Sequence, residues 1–397
     1  MRRPDSGRPA AAPVRLMMFL VSGSFRGRNG RRRPGPPGLF VLAWATALAA
    51  VVSLAAQSDS SVARFLNETI GFSIDDLRGL DRGSAVIRSL DTPVRQELAH
   101  VGVIHLDVPP DEFVDLFRDI ERFERGPGIP EIGRFGSPPR LEDLQSLTLP
   151  AEDVEELPKC RTGDCQVKLS AEALTRFRTH VDWSAADAGR QASELAREMV
   201  LDLVRAYQAE GNTALGAYVD DDDPLLVAEQ FRALLASRDP LPAAVPELLD
   251  YLDDYPRGLP GGADEFFYWT VVDFGMKPTI RVNHVVIYPL AERPSTGIAY
   301  AIATKQLYAS HYFHTTLELR FLVDRIDRAG RAASTLISVT RSRNDGMTGF
   351  RGLFLRPIIR RRSRDAVRHY LEHVRRQVER SASEAVPSRA GNGASAH

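Results

Sequence analysis

Lysine is almost missing from this chain of 397 residues: Lys159, Lys168, Lys277 and Lys305 are the only four among 51 basic side chains. A surplus of either charge is missing as well, since 52 acidic residues leave a formal net charge of −1. That balance removes any global electrostatic case for nucleic acid, which needs a clustered positive excess. Cysteine is scarce, with only Cys160 and Cys165 in "LPKCRTGDCQVKL". A zinc centre would need two further ligands, and covalent haem attachment is excluded because no Cys-x-x-Cys-His occurs. The spacing is not that of a Cys-x-x-Cys redox pair; four intervening residues that include Gly163 allow a tight turn and a small structural disulfide. The chain also lacks a Gly-x-Ser-x-Gly elbow, a phosphate-cradling Walker loop and a dinucleotide glycine fingerprint.

What is present begins with an export pattern. Residues 1–37 are rich in Arg, Pro and Gly without apolar periodicity and read as a basic disordered region. Residues 38–56 contain "LFVLAWATALAAVVSLAA", apolar or small throughout and uncharged. Basic residues, then an apolar run, then Ser53 and Ala55 at the −3 and −1 spacing of a cleavage site read as a secretory signal. The run is also near the lower length of a membrane-spanning helix. Retained as an anchor, it would leave the arginines in the cytoplasm and the body outside. Either way the body is expected outside the cytoplasm, in the periplasm or cell envelope, soluble or anchored through 39–56.

Along the body, "SAVIRSL" and "RQELAHVGVIHLDV" read as a strand hairpin. "PDEFVDLFRDIERF" reads as one amphipathic helix with Phe113, Leu116, Phe117, Ile120 and Phe123 on one face. Residues 126–150 are Pro- and Gly-rich and read as an irregular connection, and 170–251 as helical. The acidic run Asp220–Asp223 lacks EF-hand spacing and reads as a solvated loop. From Glu265 onward, "EFFYWTVVDFG", "TIRVNHVVIYP", "GIAYAIATKQLY", "FHTTLELRFLVDRI" and "STLISVTRSR" read as an antiparallel meander. The C-terminal "RRRSRDAVRHYLEHVRRQVERS" reads as an amphipathic helix.

This order, with "GVIHLDVPPDEFVDLFRDIERF" as its opening, resembles the START-like (SRPBCC) helix-grip superfamily. The resemblance implies an α+β fold in which a curved antiparallel sheet grips a long C-terminal helix and leaves a cavity between them. It is carried by roughly 84–125 and 264–380; the core it implies spans 62–125 and 261–380, so 126–260 becomes a helical insertion carrying the disulfide loop, with 381–397 a disordered tail. It also implies a hydrophobic or lipid-like ligand, since most members bind such molecules; some are cyclases or hydrolases.

Strand alternation sorts the candidate side chains. Counting back from Leu317, Leu319, Phe321 and Val323 gives Phe313 and His311, whereas His314 falls on the other side, so the two histidines do not pair on a metal. His284 lies in line with Ile280, Val282 and Val286, and Trp269 and Tyr300 come from neighbouring strands. Trp269, His284, Tyr300, His311 and Phe313 therefore either line a mostly apolar pocket or belong to a packed sheet with hydrogen-bonded histidines. Ala299, Ala301 and Ala303 form a small-residue face suited to close approach by the C-terminal helix. "HYLEH" at 369–373 matches the His-x-x-Glu-His text of inverted zinc peptidases, but its histidines fall on the solvated side and no downstream acid completes the ligands. "FRGLFLRPIIRRRSRD" at 350–365 reads as a loop packing its apolar residues under a basic helix start, or as a contact for anionic lipid. The functional expectation is non-catalytic binding of a hydrophobic or lipid-like ligand, with no cofactor, metal or nucleic-acid partner. An enzyme using His284 or His311 as acid or base, and an envelope interaction protein with a filled core, are the alternatives.

Overall fold

β-branched and aromatic residues crowd the segments from Glu265 to Asn344, and such residues favour a pleated, packed surface. In the computed structural model these segments form strands of a large antiparallel sheet flanked by helices, an α+β architecture. Residues 62–236, 244–273, 275–290, 297–345 and 349–385 are described. The basic region 1–37, the apolar segment 38–56 and residues 386–397 of the expected tail lie outside them.

Ser73 caps the helix α1 (Ile74–Asp81) in a capping box with Asp76. β1 (Val86–Leu90) and β2 (Glu97–Leu106) then form the expected hairpin. The next segment is two helices and not one: α2 (Pro110–Arg118) and α3 (Ile120–Glu124) are separated at Asp119, whose ψ of 64° leaves the helical region. The break still buries Phe113, Phe117, Ile120 and Phe123 together, so packing overrides the continuous periodicity. Residues 126–150 are more ordered than their Pro and Gly content suggests. β3 (Glu131–Arg134) pairs with β6 (Asp264–Val272) at the sheet edge, where a strand of four residues suffices. Gly133 is needed there, because a Cβ would lie 2.6 Å from the Trp269 indole nitrogen.

Between β3 and β6 come α4 (Ala151–Glu156), α5 (Ala171–His180), α6 (Ala188–Glu210), the short pair β4 (Ala217–Tyr218) and β5 (Leu225–Leu226), α7 (Val227–Leu235) and α8 (Pro246–Asp254). The meander continues with β7 (Thr279–Pro289), β8 (Ile298–Ala309), β9 (Phe313–Ile326) and β10 (Ala332–Asn344), and α9 (Gly349–Ala385) closes the chain. The strand order is β1-β2-β10-β9-β8-β7-β6-β3, with antiparallel neighbours throughout.

Both faces of this sheet are covered. On one, Val101, Val103, Leu319, Phe321 and Val339 pack against Tyr207, Phe231 and Leu248 from α6, α7 and α8. On the other, Ile104, Val285, Ile302 and Leu336 pack against Phe113 and Phe117 and against Leu371 and Val374 of α9. Ala301 and Ala303 belong to the first face, so they do not receive the C-terminal helix. α9 comes close over Gly102 of β2, where a Cβ would lie 2.6 Å from Leu371 and 3.0 Å from Val367. α9 also begins earlier than expected, at Gly349, and takes in "FRGLFLRPIIRRRSRD" with Pro357 inside it; at the other end it runs to Ala385, into the expected tail. Leu355 and Ile358 are exposed, so they do not pack under the helix start.

A buried charged cluster fastens α9 to the sheet. Arg320 donates to Glu318 at 2.8 Å, Tyr370 at 2.7 Å and Thr304 at 2.9 Å, and Tyr370 donates to Glu124 at 2.8 Å. Burial raises the Glu124 carboxyl above its ordinary range, opposed by the nearby guanidinium. These groups, with Phe113, Phe117, Leu371, Val374 and Val378, fill the space between the sheet and α9.

Candidate functional site

α6 carries two apolar stripes and divides them between two cores. Val204 and Tyr207 join the sheet core, while Ala192, Leu195 and Ala196 join a smaller core with Leu174 and Phe177 of α5 and with Cys160. Cys160 and Cys165 are bonded, which pins the turn carrying this smaller core. The two cores meet along α6 without closing on one another. The gap is a half-open cleft of about 610 Å³. Its walls include Phe177, Met199, Val200 and Leu203, its floor Leu307 and Tyr308 of β8, and its charged residues Glu172, Arg176 and Asp202.

The polar side chains of the floor are already committed to the backbone. Tyr308 donates to the Lys168 carbonyl at 3.0 Å, Ser310 accepts from the Ile280 amide at 3.0 Å, and Tyr218 accepts from Ala309 at 3.4 Å. Burial keeps both tyrosines neutral, with the phenols shifted upward. Arg176 binds Asp202 at 3.0 Å and Glu198 at 3.5 Å. The cleft thus offers apolar contact inside and opposite charges at α5 and α6, a suitable volume and chemistry for a small amphipathic molecule.

Three histidine networks lie outside this lining. His284 is wholly buried; its Nε2 donates to Glu265 at 2.8 Å, and Tyr207 donates to its Nδ1 at 3.3 Å. Tyr251 also donates to Glu265 at 2.6 Å, and Lys305 donates to Tyr207 at 3.1 Å, to Asn212 and to the Leu252 carbonyl at 3.3 Å. Burial holds the Lys305 amine well below its usual range, with the Phe231 ring 3.9 Å from it. Burial also lowers His284, against the pull of Glu265. Glu265 is pushed up by burial, but the hydrogen bonds from His284, Tyr251 and Tyr255 outweigh that and leave it below its ordinary value.

His311 sits in the turn between β8 and β9, followed by Tyr312 at φ 63°, and is not a strand residue. The alternation count therefore does not reach it. Its Nε2 meets the buried Asp153 at 2.8 Å and its Nδ1 the Gln166 carbonyl at 2.8 Å. His314 faces Asp345 at 2.5 Å, and Asp345 in turn binds Lys168, which also pairs with Asp220 at 2.9 Å. The acidic run is thus partly a structural anchor for a buried lysine. His311 and His314 share no partner, and among the described residues no three His, Cys, Asp or Glu side chains are placed to hold one metal ion. His373 of "HYLEH" is half-buried, bonded to the Phe123 carbonyl at 3.1 Å, while His369 is exposed.

The five residues singled out by alternation are not brought together, and none lines the cleft. Trp269 is buried beneath β3 and donates to the Asp143 carbonyl at 2.9 Å. Tyr300 belongs to the opposite face, where it donates to Asp111 at 2.5 Å. Phe313 opens β9, with the Arg281 guanidinium 5.5 Å over its ring. Sequence reasoning missed Glu265, Tyr207, Lys305 and Asp153; a lysine within the apolar alternation of β8 was the one local signal. It also missed the cleft, although the double stripe of α6 is legible in "ASELAREMVLDLVRAYQAEG".

No helix among the described residues is long and apolar enough to cross a membrane. No protein-family model and no curated protein matches the chain.

Proposed function

We propose that this protein binds a hydrophobic or lipid-like ligand, without catalysis, in the cleft between α5, α6 and β8. The observation that carries this reading is the cleft itself: about 610 Å³, walled by apolar side chains, with its floor polar groups already bonded. Volumes of a few hundred Å³ with this lining are those of small-molecule sites. The START-like resemblance supports the ligand class, since strand β2, helices α2 and α3, the antiparallel meander and α9 follow in the expected order. The cavity differs from the expectation in place. Side chains pack together under α9, and the open volume lies on the other face, between the sheet at β7 and β8 and the segment 126–260, which we regard as an insertion. The disulfide fits a body exported behind the segment 38–56, since such bonds persist in oxidising compartments.

The two His–carboxylate pairs favour a second reading, an enzyme using His284 or His311. Against it, both nitrogens of each ring are engaged by protein groups, leaving none to meet a substrate. The deciding experiment is native mass spectrometry of the full chain purified gently from membranes, followed by lipid extraction. A stoichiometric lipid is expected on the wild type and absent from Ala206→Phe, which fills the cleft from α6. A wild type free of bound mass, or a variant that carries the same ligand, removes the cleft as the site.

A further inference from the structure

α9 reverses its sidedness part-way along. From Tyr370 onward it sends Leu371, Val374 and Val378 into the core. Upstream, Arg360 points back to the protein, donating to the Leu90 carbonyl at 3.4 Å and to Asp91 at 3.3 Å. The apolar residues face outward instead: Leu355 is 42% exposed, Ile358 52% and Phe354 65%. At about 100° per residue, 354, 355 and 358 share one arc with Arg361 and Arg362, opposite the line of Val367, Leu371 and Val374. Arg361 is itself 80% exposed. From 354 to 368 the sequence has six arginines and a single acid, Asp365.

Leu355 and Ile358, exposed among arginines, gain nothing for the fold by facing water, because their burial would stabilise it only on the other side. We propose that 354–362 docks the protein onto an anionic lipid surface. Leu355 and Ile358 enter the boundary of the acyl region, and Arg361 and Arg362 lie at the level of the phosphates. Amphipathic helices with basic and apolar residues on the outer arc bind this way, through buried apolar area plus attraction to anionic headgroups. Charge complementarity selects this occupant over a second copy of the chain. Self-association would bring arginine against arginine, and three apolar side chains are too small a patch for a stable dimer. The surface is independent of the cleft, so either can fail without the other.

The test is co-sedimentation of the full chain with vesicles of phosphatidylcholine alone or containing phosphatidylglycerol, at low and high salt. The wild type is expected to prefer the anionic vesicles and to be released by salt. Arg361→Gln/Arg362→Gln should bind them about thirtyfold more weakly, since each basic residue near such a surface contributes about 1 kcal/mol. Leu355→Ser/Ile358→Ser should weaken binding by about tenfold or more with unchanged salt sensitivity and unchanged circular dichroism. Every variant retains 39–56, so only α9 differs between the samples. Equal binding by the wild type and both variants overturns the proposal, as does equal wild-type binding to neutral vesicles. A wild-type dimer that Leu355→Ser/Ile358→Ser turns into a monomer would make the face an interface between copies.

Discussion

Histidines held neutral by burial give the folded chain a definite response to acid. His100 and His105, both on β2, are pushed down to about 4, chiefly by burial and further by Arg360 and Arg364 near His100 and Arg325 near His105. His105 lies 4.0 Å from Asp81, but that contact is no ion pair while the ring stays neutral. The sign follows from which state takes up the proton first. As pH falls below 6.5 the unfolded chain protonates these rings and the native chain does not, so stability is complete above 6.5 and is lost toward about 4. One such group removes about 2 kcal/mol between pH 6.5 and 5. Glu124, raised by burial, works the other way from its own range upward, so the readout is a difference between proteins. Urea unfolding of His105→Gln should show a pH slope shallower than wild type by about one proton; parallel slopes would mean that His105 is charged in the fold. None of these pairings was readable from the sequence. Alternation placed His284 on a buried face, but its carboxylate is 19 residues away and that of His311 is 158 away. A partner at such distance is set by sheet register and by the docking of α4, which no local pattern encodes.

Elements were legible where one period runs unbroken. The strands of the meander and the hairpin β1-β2 follow from alternation, and α6 from its 3.6-residue repeat. Legibility failed where tertiary contacts decide. β3 is a strand because β6 offers it an edge, and Gly133, which reads as a loop residue, is what lets Trp269 lie against it. The C-terminal half of α9 was visible, but its partner was misjudged, because a small residue on the strand that receives the helix matters more than three alanines on another. Gly102 is that residue. Gly102→Ala sets a Cβ 2.6 Å from Leu371, which must move or push α9 off β2. Overpacking of this kind costs about 1–3 kcal/mol. Thermal unfolding should fall accordingly in Gly102→Ala, and Leu371→Ala, costly on its own because Leu371 is fully buried, should cost less in that background, where the room it leaves takes up the added methyl. A double variant no more stable than the sum of the singles would show that the two positions are not in contact.

At the scale of the molecule, two apolar cores share one helix, and the cleft exists because neither reaches across to the other. The larger core is built on the sheet; the smaller rests on α5, half of α6 and the Cys160–Cys165 turn. The bond closes a short loop, so in the chain-entropy account its removal costs only about 2 kcal/mol. That loss falls on the smaller core, because Cys160 is buried there and its carbonyl accepts from Arg178 of α5 at 2.8 Å. The cleft wall formed by Phe177 should therefore loosen while the sheet keeps its packing. A ligand present at a hundredfold excess over its dissociation constant stabilises a one-site protein by about 2.7 kcal/mol. Once a ligand is in hand, its effect on thermal unfolding separates the two cores. Wild type should show the full increment. Ala206→Phe should show none at nearly unchanged basal stability. Cys160→Ser/Cys165→Ser should start lower and gain less, because the wall has to be ordered again when the ligand binds. A full ligand increment in the serine variant would mean that the smaller core forms the wall without its covalent clamp, and that the disulfide contributes to stability alone.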